Sequence, residues 1–285
     1  MTKRDLRPRA CPGRFFSYTP PMPRLSILLV VLAVGCKGPP DAPEELDDLM
    51  GYLFENVGND DTAPLEVGSE NLSAWLDDRM GETLEGYTVN NLTQAGVDSL
   101  QDGDRSVEDV VGAAVGHESA FSVQDLGLTH TFVFPTVIYP DTYEAYERDY
   151  RTDDACFRAM ECDWVEYDTH ATQNFPLGLK VTTNSRVQLR WLETDVGTVF
   201  VQRSWLHTPA EVNLDFLKLH EQYYMWVLVP TEGGARSVQA TWVVAEIVGA
   251  DVPENLALNL VVDSMKTDAE TLDAFVAAEG PVTPG

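Results

Sequence analysis

The stretch RVQLRWLETDVGTVFVQRSWL, residues 186–206, decides the fold of this chain. In its first half Val187, Leu189 and Trp191 fall on one side of an extended backbone, and Arg186, Gln188 and Arg190 on the other. In its second half Val199, Val201, Arg203 and Trp205 alternate with Phe200, Gln202, Ser204 and Leu206. A period of two is the signature of a β-strand. The connection Thr194-Asp195-Val196-Gly197 is too short for a crossover, so the two strands are antiparallel neighbours.

The same period extends outward. Strands are expected at Leu128–Val133, Asp163–Thr169, Leu177–Thr183, Gln222–Val229 and Ser237–Val248, with Asn184-Ser185 and Glu232-Gly233-Gly234 as tight turns. Along Ser237–Val248, residues Val238, Ala240, Trp242, Val244 and Glu246 share one side while Gln239, Thr241, Val243 and Ala245 share the other. An antiparallel sheet with one wet face should be polar on that face. Here both faces of the last strands are partly apolar, and one of them carries isolated polar groups. Trp205 alternates onto the side of Arg203, and Trp242 onto that of Glu246, a pattern that suits a cavity lined by rings with a few polar contacts. Arg190, Arg203, Trp205, Trp242 and Glu246 are the candidate pocket residues; in the competing reading the tryptophans are plain core and the charges pair or reach solvent.

Before the sheet the spacing is helical. Leu46, Leu49, Met50, Leu53 and Phe54 predict an amphipathic helix over 44–57, and Leu72, Trp75, Leu76 and Met80 a second one starting at Ser69. Short helices are expected at Asn91–Leu100 and Ser106–Val115, around the turn Asp102-Gly103-Asp104. Tyr143, Tyr146 and Tyr150 share a helical face. Pro253 opens a long amphipathic helix carrying Leu256, Leu260, Val261, Met265, Leu272, Phe275 and Val276, closed by Gly280-Pro281.

The fold class read from this order is α+β: a mainly helical region over 44–125, then a curved antiparallel meander packed on a long C-terminal helix over 126–285. Over residues 126–278 this order resembles the helix-grip fold of the START and SRPBCC superfamily. The resemblance implies a sheet wrapped around the last helix, with an apolar cavity between them.

Residues 1–24 carry six basic side chains against Asp5 alone, and Leu25–Val34 is free of charge. That is the build of a secretory signal, too short to span a bilayer. It ends in Leu32-Ala33-Val34-Gly35-Cys36, which resembles the lipobox of bacterial lipoproteins. The resemblance implies a signal peptide over 1–35, diacylglycerol on the Cys36 thiol, and a tether over 36–43. Lys37, where aspartate would retain a lipoprotein in the inner membrane, points to the outer membrane of the cell envelope. Met1 and Met22 are both possible starts of this signal.

The whole chain has a net charge of −27; residues 1–35 hold six of its 19 basic and one of its 46 acidic residues, leaving 13 against 45 and −32. Such a surface repels nucleic acid and anionic headgroups, so lipid on Cys36 is the expected membrane contact. Of the four cysteines, Cys156 and Cys162 remain once Cys11 leaves and Cys36 is acylated; outside the cytoplasm they are expected to form a disulfide.

No metal or cofactor is indicated. His117, His130, His170, His207 and His220 are scattered, and no nucleophile elbow, dinucleotide fingerprint or Walker loop occurs. Asp98, Asp102, Gly103, Asp104 and Asp109 are arranged somewhat like a calcium loop, but Leu100 occupies a ligand position and Asp109 replaces the bidentate glutamate. The leading expectation is a non-catalytic, lipid-anchored protein that holds a hydrophobic small molecule or lipid. The alternative is a structural or protein-interaction lipoprotein using its acidic surface. An enzyme would have to draw on Arg190, Arg203, Glu246 and His220, a set too scattered to favour.

Overall fold

In the computed structural model, the apolar positions of the first helix become one buried face. Leu46, Leu49, Met50, Leu53 and Phe54 on α1 (Leu46–Asn56) are fully buried. Next come α2 (Ala63–Arg79), β1 (Tyr87–Val89), α3 (Gln94–Asp98), β2 (Val111–Ser119), α4 (Val123–Phe132) and α5 (Pro135–Ile138). The chain then runs through β3 (Tyr143–Tyr150), α6 (Asp154–Arg158), β4 (Trp164–Asn174), β5 (Lys180–Thr194) and β6 (Gly197–Leu206). It finishes with β7 (Glu211–Val212), β8 (Leu217–Thr231), β9 (Gly234–Ile247) and α7 (Leu256–Glu279). The structure describes residues 41–100, 105, 107, 110–247 and 256–284. The signal segment 1–35, Cys36, the turn Asp102-Gly103-Asp104, Asp109 and Pro253 therefore lie outside the described residues.

The strands form one antiparallel sheet in the order β1-β2-β9-β8-β6-β5-β4-β3, with β7 added to β5. Two hairpins hold its centre. β5 turns into β6 at Asp195-Val196, with Thr194 opposite Gly197, whose φ of +117° favours glycine. β8 turns into β9 at Glu232-Gly233, with Thr231 opposite Gly234.

Helices cover both faces of the sheet. One face packs under α1 and α2 through Val199, Val201, Tyr223, Met225, Val238 and Trp242. The other packs under α4 and α7 through Val187, Leu189, Phe200, Trp226 and Leu228. The architecture is α+β with a C-terminal helix against a large antiparallel sheet, the helix-grip arrangement expected above.

Several local expectations are corrected. Residues 111–119 form β2 rather than a helix, and β2 bridges β1 and β9. Its run of small residues is a packing demand: a Cβ on Gly112 would lie 2.6 Å from the Trp242 ring, and one on Gly116 would collide with the Thr83 hydroxyl. Thus part of region 44–125 belongs to the same sheet as region 126–285. Leu128–Val133 falls in and just after α4, a helix rather than a strand, because Ser122 and Asp125 form a capping box that starts a helix at Val123. Tyr143, Tyr146 and Tyr150 lie on the edge strand β3, not on a helix. Asn184-Ser185 is no turn but the middle of the 15-residue strand β5.

Cys156 and Cys162 form the expected disulfide, with Cα atoms 5.3 Å apart. Closing so short a loop contributes about 2 kcal/mol by chain entropy. Among the described residues no helix is long and apolar enough to cross a membrane, and no group of His, Cys, Asp and Glu side chains is placed to hold a metal ion.

Candidate functional site

Register across the sheet assigns each row of side chains to one face. Val165, Leu189, Gln202, Trp226 and Gln239 are successive cross-strand partners, as are Tyr167, Val187, Ser204, Tyr224 and Thr241. These two rows face α7. Between them and the helix lies a partly open cavity of ≈ 260 Å³. The second row and Gln202, Trp226 and Gln239 form its floor; Tyr139 after α5, and Tyr143, Tyr146 and Arg148 on β3, form one wall. From α7 come Val261, Ser264, Met265, Asp268, Ala269 and Leu272.

The lining mixes polar side chains with apolar and aromatic ones. His130 Nε2 lies 2.8 Å from Gln202 Oε1 and its ring packs edge-on to Trp226, with centroids 4.7 Å apart. Burial and the neighbouring Arg148 charge push the His130 pKa down to about 4, so the ring is neutral at physiological pH. The Tyr224 hydroxyl donates to Gln239 Oε1 at 3.1 Å, and Gln239 donates on to the Met265 carbonyl at 3.4 Å. Among the described residues no acceptor reaches the buried Trp226 Nε1.

Arg148 ties β3 to the end of α4. Its guanidinium donates to the carbonyls of His130 and Val133, each at 3.2 Å, and to that of Thr131. A cation on the last carbonyls of a helix satisfies acceptors that the helix cannot and meets its negative pole. Burial opposes the Arg148 charge, but the surrounding phenols of Tyr167, Tyr146 and Tyr150 outweigh it and raise its pKa.

Asp268 is the one acidic side chain among the described residues lining the cavity. Burial alone raises its pKa to about 7. Its charge in turn helps push up the pKa of Tyr139, Tyr143 and Tyr224, for each of which burial is the larger cause.

Four of the five residues nominated from the sequence lie on the opposite face, and the fifth near the sheet's rim. Gln188, Arg203, Met225 and Ala240 are cross-strand partners, as are Arg186, Trp205, Tyr223 and Trp242. Both of these rows face α1. Arg203 donates to the Phe54 carbonyl at 2.9 Å and to Gln188 at 2.7 Å, and its guanidinium lies between the rings of Phe54 and Trp205. Arg190 donates to the Asn59 carbonyl at 2.6 Å and lies over Trp164. Both arginines therefore bind carbonyls at and just beyond the C-terminal end of α1, a helix-docking role. Burial lowers the Arg203 pKa to about 10. Trp205 borders the cavity, but it belongs to the cluster beneath α1. Trp242 is fully buried in that same cluster. Glu246 is exposed and pairs with Lys218 at 3.1 Å and His220 at 3.4 Å. It is not among the residues that line the cavity.

The cavity residues that sequence reasoning missed had one readable signal. Val261, Met265, Leu272 and Val276 make the apolar stripe of α7, and Asp268 sits within it at helical spacing. A charge inside an apolar stripe needs an explanation, and the cavity is that explanation.

No protein-family model matches the chain, and no curated protein sequence matches it. Solved structures similar to it include the STAR-related lipid transfer protein of Xanthomonas axonopodis (fragment 25–204), at 14% identity and a TM-score of 0.40, over 61% of this chain and 90% of that one. A START superfamily protein from Mycobacterium smegmatis matches at 12% identity and a TM-score of 0.34, over 59% of this chain and 97% of the other. The lipid transfer and protein localization domain of human StarD13 matches at 9% identity and a TM-score of 0.35, over 71% and 94%.

Proposed function

We propose that this chain is a lipid-anchored, non-catalytic binding protein of the cell envelope that takes up a small, largely apolar molecule in the cavity between its sheet and α7. The cavity is the observation that supports the reading. At ≈ 260 Å³ it sits just below the range of about 300–1,000 Å³ usual for ligand pockets. That size suits a single ring system or a short chain and is too small for a whole two-chain phospholipid. Apolar and aromatic walls supply the driving force, and scattered hydroxyl and amide groups supply orientation.

The neutral dye N-phenyl-1-naphthylamine should bind the purified, delipidated protein saturably, with one dye per chain. Ala171, nearly buried on the cavity floor, gives the control. Ala171→Phe should fill the cavity and weaken dye binding by about tenfold or more while the protein still unfolds cooperatively. Unsaturable dye uptake, or equal uptake by the filled variant, would remove the reading.

The anchor is tested separately. Labelled palmitate should enter the protein in cells, and Cys36→Ser should abolish the label and move the protein from the outer-membrane fraction to the soluble one. Continued membrane association of that variant would count against the anchor. With −32 on the chain beyond residue 35, the lipid on Cys36 is the membrane contact this reading uses.

A further inference from the structure

Asp268 is placed where a carboxylate is costly. It lies on the inward side of α7, between Met265 and Leu272, partly buried and among the residues that line the cavity. Among the described residues no hydrogen bond or ion pair reaches its carboxylate. Five residues on, Asp273 accepts from Ser119 at 2.8 Å and sits 3.1 Å from His117. The same helix thus carries one acid with partners in the protein and one aimed into empty space. An ionised group so placed is retained at a cost in stability unless something else pairs with it.

The geometry points to an organic cation as the ligand: a protonated amine on an apolar, ring-sized body, its nitrogen on Asp268 and its body against Tyr139, Tyr143 and Tyr224. This rests on the cavity being a ligand site. A carboxylate among phenol rings is a common way to bind an ammonium group, because the acid supplies charge and ring faces supply quadrupoles. The phenols can also orient N–H or C–H groups without adding charge. The other charged group on the wall, Arg148, spends both terminal nitrogens on carbonyls of α4 and its following turn, although its Nε is buried without an acceptor. A carboxylate ligand at that Nε is the rival, and the test includes it.

Binding should depend on pH through Asp268. The other titratable groups facing this part of α7 are His130 from α4, Tyr139, Tyr143 from β3 and Tyr224 from β8, while His117 on β2 faces Asp273 instead. His130 is neutral above about 4, and burial keeps the phenols neutral well beyond 10. Ionisation of Asp268 near pH 7 therefore governs the window.

Three fluorescent probes of matched body separate the possibilities: 2-(aminomethyl)naphthalene, naphthalene-2-methanol and naphthalene-2-carboxylate. At about pH 8 the amine should bind at least about tenfold more tightly than the alcohol, and its affinity should rise about tenfold from pH 6 to pH 8. Asp268→Asn should bring the amine to within about twofold of the alcohol and remove the rise of the amine's affinity between pH 6 and pH 8. The preference and pH profile of the unaltered protein need no variant, so a misfolded Asp268→Asn would not shield the proposal. Equal binding of amine and alcohol, or tighter binding of the carboxylate, overturns the cation proposal and leaves the cavity reading standing. Binding of none of the three, together with failure of N-phenyl-1-naphthylamine, overturns both.

Discussion

Replacing Trp242 with alanine should cost the fold about 3–5 kcal/mol, the range for removing a large buried aromatic ring. The indole is fully buried, edge-on to Phe54 with ring centroids 5.8 Å apart, and lies so close to Gly112 that no Cβ fits there. Its Nε1 donates to the Asn90 carbonyl at 2.8 Å. One side chain therefore joins β9, β2, α1 and the segment after β1. Alanine would leave a void bounded by rigid backbone on the Gly112 side, which cannot collapse, and would strand the Asn90 carbonyl. For a chain of this size the midpoint of thermal unfolding should fall by roughly 8–15 °C. Trp242→Phe should recover part of the loss, since it refills most of the void without restoring the hydrogen bond. A change below about 1 kcal/mol in urea unfolding would mean that α1 is not docked on this sheet as described.

The second large effect is a loss of stability between about pH 4 and pH 7. Burial holds the Asp268 pKa up to about 7, against an ordinary carboxylate value near 4 in the unfolded chain. In that window the folded state binds more protons than the unfolded state, so the stability of the folded state falls as pH rises. The contribution is fully present below about pH 4 and is lost once pH passes about 7. Its size is on the order of 2–4 kcal/mol, discounted because the carboxylate keeps some accessible surface in the cavity. Asp168 runs the other way. Burial alone would raise its pKa, but hydrogen bonds from Arg151, Arg186 and His207 outweigh that and hold it well below the usual range. Its contribution is lost only as pH falls below about 4, outside the window in question. Urea unfolding of wild type and Asp268→Asn at about pH 5 and pH 8 should show the two converging at the lower pH and the variant ahead at the higher. Parallel behaviour of the two would place Asp268 in water rather than in the cavity. The same cost is what a bound ammonium would remove, linking the stability of the empty protein to the ligand class proposed for it.

How far this could be read in advance differs between elements. The buried stripe of α1 and the alternation of β6, β8 and β9 were legible because their periods are unbroken over ten or more residues. β2 was not legible. Its Gly112 and Gly116 are dictated by Trp242 and Thr83, residues distant in sequence, so its composition reflects tertiary contact rather than strand propensity. β3 was misread because a tyrosine at every third or fourth position on an edge strand with a bulge near Tyr143 imitates a helical face. α4 was missed although its capping box stands in the sequence, since Leu126, Leu128, His130 and Phe132 also satisfy a period of two.

What the sequence determined by itself is that the sheet has two partly apolar faces and that aromatic rings and lone charges alternate across it, because strand geometry sorts neighbours to opposite sides without reference to anything distant. Only the tertiary structure decided which helix covers which face. α1 takes the side with Arg203 and Arg190, whose donors meet carbonyls in and just after that helix, while α7 takes the other and leaves the cavity around Asp268. A period of two distinguishes the faces but does not label them; the label comes from which helix end finds an arginine and which apolar stripe lies over the cavity, and both depend on contacts between segments distant in the chain.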